Sequence, residues 1–481
     1  MTAANGHWLN RTPSGPAAPG GGGQPGLDQP WFMRLPEQQA PAPAPAPAVP
    51  DADPHPHAHL VVREVVQAVV DRLDPDADRD QAGALISAEV ARRIEEGLLP
   101  DGLVPTADQQ RRLVAAVLDE LFGLGPLQPL LKDPAVENID INGCDQVWVD
   151  YSDGRREPGP AVAATDDELV EKIRLWSRQG NTARELSVAQ PLLNVALPEL
   201  DGARLSAAMS VTPRPCASIR CHRLVDIDLL DLMNRGTIDL SLYGLLHAAV
   251  LARKNIIVTG GTSSGKTTFI RALSACIDPT ERIATLESDF ELFLHKLPAR
   301  HRDVVPFEAR LANSEGAGAI TLAAMIPQVL RFNPRRIIVG EVRSDEIIPM
   351  LEAMQSGHEG SFCTLHSNSG EESFNRMVLL ALRGGLNMPI HAIHLMVGMA
   401  VDLIVHLRRS TTGRYVSEVL EVMAPADTDR PAVNYLYVPR PGDGRAVPKT
   451  TPQMLGDLTA AGFDADLLAH RDGLWDRSRR A

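Results

Sequence analysis

The chain's 481 residues carry 47 Lys plus Arg against 61 Asp plus Glu, a formal net charge of −14, which argues against a general grip on nucleic-acid phosphates. With 44% hydrophobic residues, the length allows about three domains with buried cores and excludes a chain that is disordered throughout. The five cysteines form no C-x-x-C pair, so neither a zinc site nor a disulfide framework is indicated, and a reducing compartment fits best.

No N-terminal segment joins a basic start, an apolar core and a small-residue cleavage site, so export by a signal peptide is not expected. Residues 1–57 are rich in Gly, Pro and Ala and read as a disordered or polyproline-like arm, because they cannot repay the entropy of ordering. From Leu60 the spacing of Val61, Val65, Val66, Val69 and Leu73 predicts an amphipathic helix. A second helix is predicted over Ile86 to Leu98. A third starts at Thr106, where Gln109 completes a capping box and Leu113, Val114, Val117 and Leu121 form the buried face. Period-two alternation then takes over. Ile139 and Ile141, an Asn142–Gly143 turn, and Val147, Val149 and Tyr151 before Asp153–Gly154 predict a hairpin. A helix around Leu169, Ile173 and Trp176 follows, then a second hairpin from Val195 and Leu197 through an Asp201–Gly202 turn to Leu205 and Ala207.

The expected organisation is an arm (1–57), a helical region (58–105), an α/β domain (106–224), a linker (225–239), a second α/β domain of strands alternating with helices (240–424), as a parallel sheet requires, and a polar C-terminal extension (425–481). The apolar stretch NMPIHAIHLMVGMAVDLIVHL is interrupted by His391, His394 and Asp402, which makes it a poor bilayer span.

The chemistry concentrates in the second α/β domain. Ile256, Ile257 and Val258 run into GGTSSGKTT, which fits G-x-x-x-x-G-K-[ST] with strand before and helix after. Gly260, Gly261, Thr262, Ser263, Ser264, Gly265, Lys266, Thr267 and Thr268 should therefore wrap nucleotide phosphates with backbone N–H groups. Lys266 is expected on the β and γ phosphates and the Thr267 hydroxyl on Mg²⁺. Two further strands end in Glu287 (RIATLE) and Glu341 (RRIIVGE). In a parallel sheet both acids emerge at the rim that carries the phosphate loop; Glu341 is assigned to the metal, through water, and Glu287 to the attacking water. His358 and His366 flank a fourth strand, FCTL, and a histidine at its end can sense the γ-phosphate. No N-K-x-D motif supports a GTPase.

VTGGTSSGKTT, ERIATLESDFEL, RRIIVGEVR and GHEGSFCTLHSNS resemble the Walker A, Asp-box, Walker B and His-box set of the type II and type IV secretion ATPases. LFGLGPLQPLL and DPAVENIDINGCDQVWVD resemble the N-terminal domain of one branch, the CpaF-type motors of tight-adherence pili, and the likeness spans roughly residues 110 to 424. The resemblance implies ATP with Mg²⁺, hydrolysis, and a homohexameric ring in which a PAS-like domain closes over a RecA-like domain. It further implies docking from the cytoplasm on inner-membrane platform proteins, with no nucleic-acid partner. It places Arg204 and Arg220 near the nucleotide, in the same or a neighbouring subunit, while Arg331 and Arg343 belong to the ATPase half. Two departures stand out: Ser288 replaces the second acid of the Asp box, and FNPRR carries arginine where the family tends to have an acid. Asp289 is expected on the other face if the strand continues. The leading expectation is a motor for pilus assembly or protein secretion; the alternatives are a conjugation-type secretion ATPase and a slow-turnover regulatory scaffold.

Overall fold

The valine stripe forms α1 (Ala58–Val70), with Val61, Val65 and Val69 buried along one face, as helical spacing dictates. The computed structural model describes residues 58–74, 78–100, 104–178, 186–200, 202–310, 312, 317–385, 388–411, 413–424 and 430–475. The arm expected at 1–57 lies outside these residues, as does Asp201 of the second hairpin turn. α2 (Arg79–Glu95) begins ahead of the predicted Ile86. Asp78 caps it, accepting from the Gln81 N–H at 2.8 Å while the Gln81 side chain accepts from Asp78 N. α3 (Ala107–Phe122) starts on the Thr106–Gln109 box. Val117 of α3 shares one core with Val65 of α1 and Ile86 of α2. The expected break at 105/106 therefore falls between helices that pack together, and α3 belongs with the helical region.

After the short α4 (Gln128–Lys132) come β1 (Val136–Asn142), β2 (Val147–Tyr151), β3 (Arg156–Pro158), α5 (Asp166–Arg178), β4 (Leu192–Leu197), β5 (Ala203–Ala208) and β6 (Cys216–Arg220). The strands form an antiparallel sheet in the order β3-β2-β1-β6-β5-β4. Leu169, Ile173 and Trp176 of α5 are buried in the same core as Ile139, Ile141 and Val149 of the sheet. The expected linker is no loose connector. Asp228 caps α6 (Leu229–Asn234), and Ile227, Leu229, Leu232 and Ile238 are buried in the next core, because the acidic residues of DIDLLDLMNRGTID are spaced to leave its apolar ones on one side.

The second sheet is laid down by α7 (Leu240–Leu251), β7 (Ile256–Gly260), α8 (Lys266–Ser274), β8 (Arg282–Glu287), β9 (Asp303–Glu308), α9 (Leu322–Val329), β10 (Arg336–Val342), α10 (Ile347–Gln355), β11 (Phe362–His366), α11 (Glu372–Arg383), α12 (Ile390–Ala400), β12 (Leu403–Ser410), β13 (Gly413–Met423), β14 (Ala432–Pro439), β15 (Ala446–Pro448) and α13 (Leu455–Ala460). Its order among the described residues is β15-β14-β13-β12-β7-β11-β10-β8-β9. From β12 to β9 all neighbours run parallel; β13, β14 and β15 are added antiparallel. Along β7, Ile256 and Val258 face one core and Ile257 the other, the two-sided burial of a parallel sheet.

One expectation changes here. The stretch beyond 425, read as a polar extension, carries β14 and β15 and buries Tyr437 and Trp475, with the Trp475 indole N–H donating to Ala446 O at 2.9 Å. Its apolar groups are short and separated by polar turns, so average composition hides them. The apolar stretch near residue 390 divides into α12 and β12; among the described residues no single helix is long and apolar enough to cross a membrane. The fold is α/β, with a RecA-like parallel sheet that brings the ends of β7, β8, β10 and β11 to one rim.

Candidate active site

At that rim the chain leaves the fully buried β7 and turns sharply. Gly260 has φ 152°, and a Cβ there would lie 2.6 Å from both Leu407 O and Ser264 Oγ, so the position admits only glycine. Ser263 (φ 58°) and Gly265 (φ 93°) complete the turn into α8, whose first N–H groups are open to an anion. Gly261, Thr262 and Ser263 are exposed on the loop crest, Ser264 is buried beneath them, and Thr267 and Thr268 begin the helix. Lys266 curls back into its own loop. Its Nζ donates to Gly260 O at 3.1 Å, Gly261 O at 2.9 Å and His366 Nδ1 at 3.3 Å. Burial lowers its pKa to about 8, against the opposing pull of Glu341; an anion arriving here would be rewarded by restoring the full charge.

His366 ends β11 in register with Gly260. Since the ammonium can only donate, Nδ1 of His366 accepts and Nε2 carries the proton, which it donates to Glu341 at 2.9 Å. Arg343 holds the other Glu341 oxygen at 2.5 Å. Burial alone would raise the Glu341 pKa, but these two donors outweigh it and bring it down to about 2. Glu287 is a different acid. It is 2% exposed; Oε2 accepts from the Glu291 and Leu292 N–H groups at 2.8 and 2.7 Å, while Oε1 is buried with no hydrogen-bond partner among the described residues. Desolvation dominates and lifts its pKa to about 7 in spite of those two amides.

The six-stranded sheet supplies cations to the same place. Arg204 on β5 and Arg220 on β6 are direct cross-strand partners. Arg204 reaches Asp289 at 2.6 Å and Glu291 at 3.6 Å, and Arg220 reaches Glu291 at 3.9 Å. Glu291 also accepts from the Thr267 hydroxyl at 3.2 Å. A cavity lined by Arg204, Thr267, Glu287, Ser288, Asp289, Glu291, Glu341 and Arg343 thus holds both predicted acids. A larger one, bounded by Ser263, Gly265, Thr268, Arg271, Arg220, His222, Glu137 and Arg414, opens beside it.

Asp289 and Glu291 were not placed here from sequence. Asp289 was expected on the other face, but β8 stops at Glu287, so strand alternation no longer governs it. The signal for Glu291 was positional: any acid in the loop leaving a strand end at this rim is within reach of the phosphate loop. Not every candidate converges. His358 precedes β11 and Arg331 precedes β10, at the rim opposite the phosphate loop. In FNPRR the arginine after Pro334 is Arg335, which precedes β10 and whose backbone N–H donates to Arg282 O at 2.7 Å; the next residue, Arg336, is buried and pairs with Glu281 at 3.0 Å while donating to Val250 O and Gly360 O, away from the site.

The sequence matches the family described as Type II/IV secretion system protein over residues 161–426. A putative conjugal transfer protein of Mycobacterium tuberculosis is 34% identical over 329 residues, 67% of this chain and 90% of that protein. The type IV secretion system protein VirB11 of Brucella suis is 30% identical over 334 residues, 62% of this chain and 89% of that protein. Among solved structures, the VirB11 ATPase of Brucella suis in complex with sulphate aligns over 70% of this chain and 96% of that one at 24% identity, with a TM-score of 0.33. The chain is a member of the type II/IV secretion system protein family.

Proposed function

We propose that the chain is a motor ATPase that binds ATP with Mg²⁺ between its two sheets, hydrolyses it, and drives a secretion or pilus machine. The observation that carries this reading is the meeting of Lys266, Thr267, Glu287, Glu341 and His366 at one rim, faced by Arg204 and Arg220 from the other sheet. The donor set suits Mg²⁺, which takes hard oxygen ligands and keeps several waters: the Thr267 hydroxyl and the Glu291 and Glu341 carboxylates are on hand. When bound, the ion would neutralise charge on the phosphates.

The two acids divide the remaining work. Glu341, held near 2 by His366 and Arg343, is a poor proton acceptor and serves as a fixed charge that orients His366 and would help hold the metal. Glu287, lifted to about 7 with a free Oε1, is poised to orient a water and take its proton. Lys266 would exchange two loop carbonyls for phosphate oxygens. Arg204 and Arg220 would turn from Asp289 and Glu291 toward the terminal phosphoryl. Ser288 removes one acid from the Asp box, yet Asp289 and Glu291 line the same cavity, which favours turnover over a slow scaffold.

The working unit is taken as a homohexamer held at the cytoplasmic face of the membrane by platform proteins, without nucleic acid. The names of the relatives favour a conjugation- or type IV-type machine; LFGLGPLQPLL and its neighbours favour a tight-adherence pilus. The test is phosphate release by the purified protein, with its mass determined in parallel. Steady turnover by a ring, lost in Glu287→Gln, is expected; a ring that binds ATP and releases no phosphate would establish the scaffold instead.

A further inference from the structure

One guanidinium touches three parts of the molecule. Arg414, the second residue of β13, donates from Nε to Ser263 O at 3.0 Å and from Nη1 and Nη2 to the two carboxylate oxygens of Glu137 at 3.1 and 2.9 Å. Its Cδ lies 3.1 Å from the place a Cβ on Gly265 would take. Glu137 belongs to β1 of the six-stranded sheet, so this fork joins that sheet and the β12–β13 pair to the crest of the phosphate loop. Both side chains are mostly shielded, 29% and 24% exposed, and a bidentate charge-assisted pair is the strong, orientation-specific kind.

The contact falls on the one strained peptide of the loop. Ser263 sits at φ 58°, a region that a non-glycine residue keeps only when its surroundings hold it there. In a trans peptide the carbonyl and the following N–H point in opposite directions. With the Ser263 carbonyl turned out to Arg414, the Ser264 N–H faces into the loop, where it donates to Gly261 O at 3.4 Å. Inward-facing amides are what an anion cradle needs.

We propose that Arg414, oriented by Glu137, is a positioning residue for the phosphate loop: it locks the Ser263–Ser264 peptide with its N–H inward and makes that lock depend on the docked N-terminal sheet. This rests on the nucleotide reading above. The experiment titrates a fluorescent ADP into the purified full chain and follows thermal melting without nucleotide. Arg414→Ala and Glu137→Gln should each weaken ADP binding about tenfold, the effect of one charge-assisted hydrogen bond, and the double variant should be no weaker than either single one. The decisive variant is the exchange of Glu137→Arg with Arg414→Glu. It restores the ion pair but leaves no donor for Ser263 O, so melting should recover while affinity does not. Recovery of affinity in the exchange, or parental affinity in Arg414→Ala, overturns the proposal. Lys266→Ala keeps the two questions apart: if it binds ADP normally, the nucleotide reading falls and this inference with it.

Discussion

The ends of β8 and β10 lie side by side in parallel register, Leu286 opposite Val339, and each delivers a glutamate to the same rim, yet the two surroundings make opposite acids of them. After β10 the chain returns a cation, Arg343, and the neighbouring strand adds His366; Glu341 is fixed as a charge. After β8 the chain returns amides, and among the described residues no ion pair reaches Glu287; burial outweighs the pull of Arg271, so its charge is costly and its proton is held until near neutrality. The lesson is that a strand-end acid acquires its role from the loop that follows it, and that a pair of acids pushed apart in this way is the mark of divided labour.

Removing the phosphate-loop cation, which pulls on Glu341, has the largest expected effect. Lys266→Ala should abolish nucleotide binding, measured by calorimetry, and normal affinity would undo the site. Next, the two amide substitutions should separate. Glu287→Gln keeps an acceptor for the Glu291 and Leu292 amides and sheds a desolvated charge, so it should melt no lower than the parent while turnover falls by about 10²–10⁴-fold. Glu341→Gln leaves Arg343 and His366 without their carboxylate, so it should lower both turnover and melting temperature; equal melting behaviour in the two variants would erase the distinction.

The pH response sharpens the comparison further. The folded pKa of Glu287, about 7, lies above its ordinary 4.5. Its contribution to stability is therefore fully present below 4.5 and is lost as pH rises through 7. Glu341, at about 2, has the reverse sign: its contribution is present above 4.5 and is lost as pH falls toward 2. Denaturant midpoints of Glu287→Gln against the parent should diverge across pH 5 to 8 in the stated direction, and turnover of the parent should fall as pH drops through 7. The smallest effect is at Lys266. Phosphate should raise its pKa from about 8 toward the ordinary 10.5, so ADP binding near pH 9 should take up part of a proton, read from calorimetry in buffers of different ionisation enthalpy.

The phosphate loop and both glutamates were legible because a Gly-rich turn between an apolar strand and a helix has few other uses, and because parallel strands send their ends to one side. The Thr106–Gln109 cap and the Ile141 to Val147 hairpin were legible for the same local reason. Asp289 escaped because alternation was extended past Glu287, where the strand ends. Arg414 escaped because its partners, Ser263 and Glu137, lie far from it in the chain, and no local pattern marks a contact made by two sheets. The buried segments around residues 230 and 437 escaped because short apolar groups within polar runs resemble linkers when averaged.

The register that sets Arg204 against Arg220 has a consequence for motion. Like charges facing each other across a ladder repel, so the six-stranded sheet carries a mismatch that its own oily interior does nothing to relieve; the relief comes from Asp289 and Glu291 on the other sheet. Such relief weakens with ionic strength, since the screening distance shrinks from about 8 Å at 0.15 M to about 3 Å at 1 M salt. The grip between the two sheets is thus held in part by a salt-tunable spring, one that a polyanionic phosphate tail could release by offering the arginines a better counter-ion.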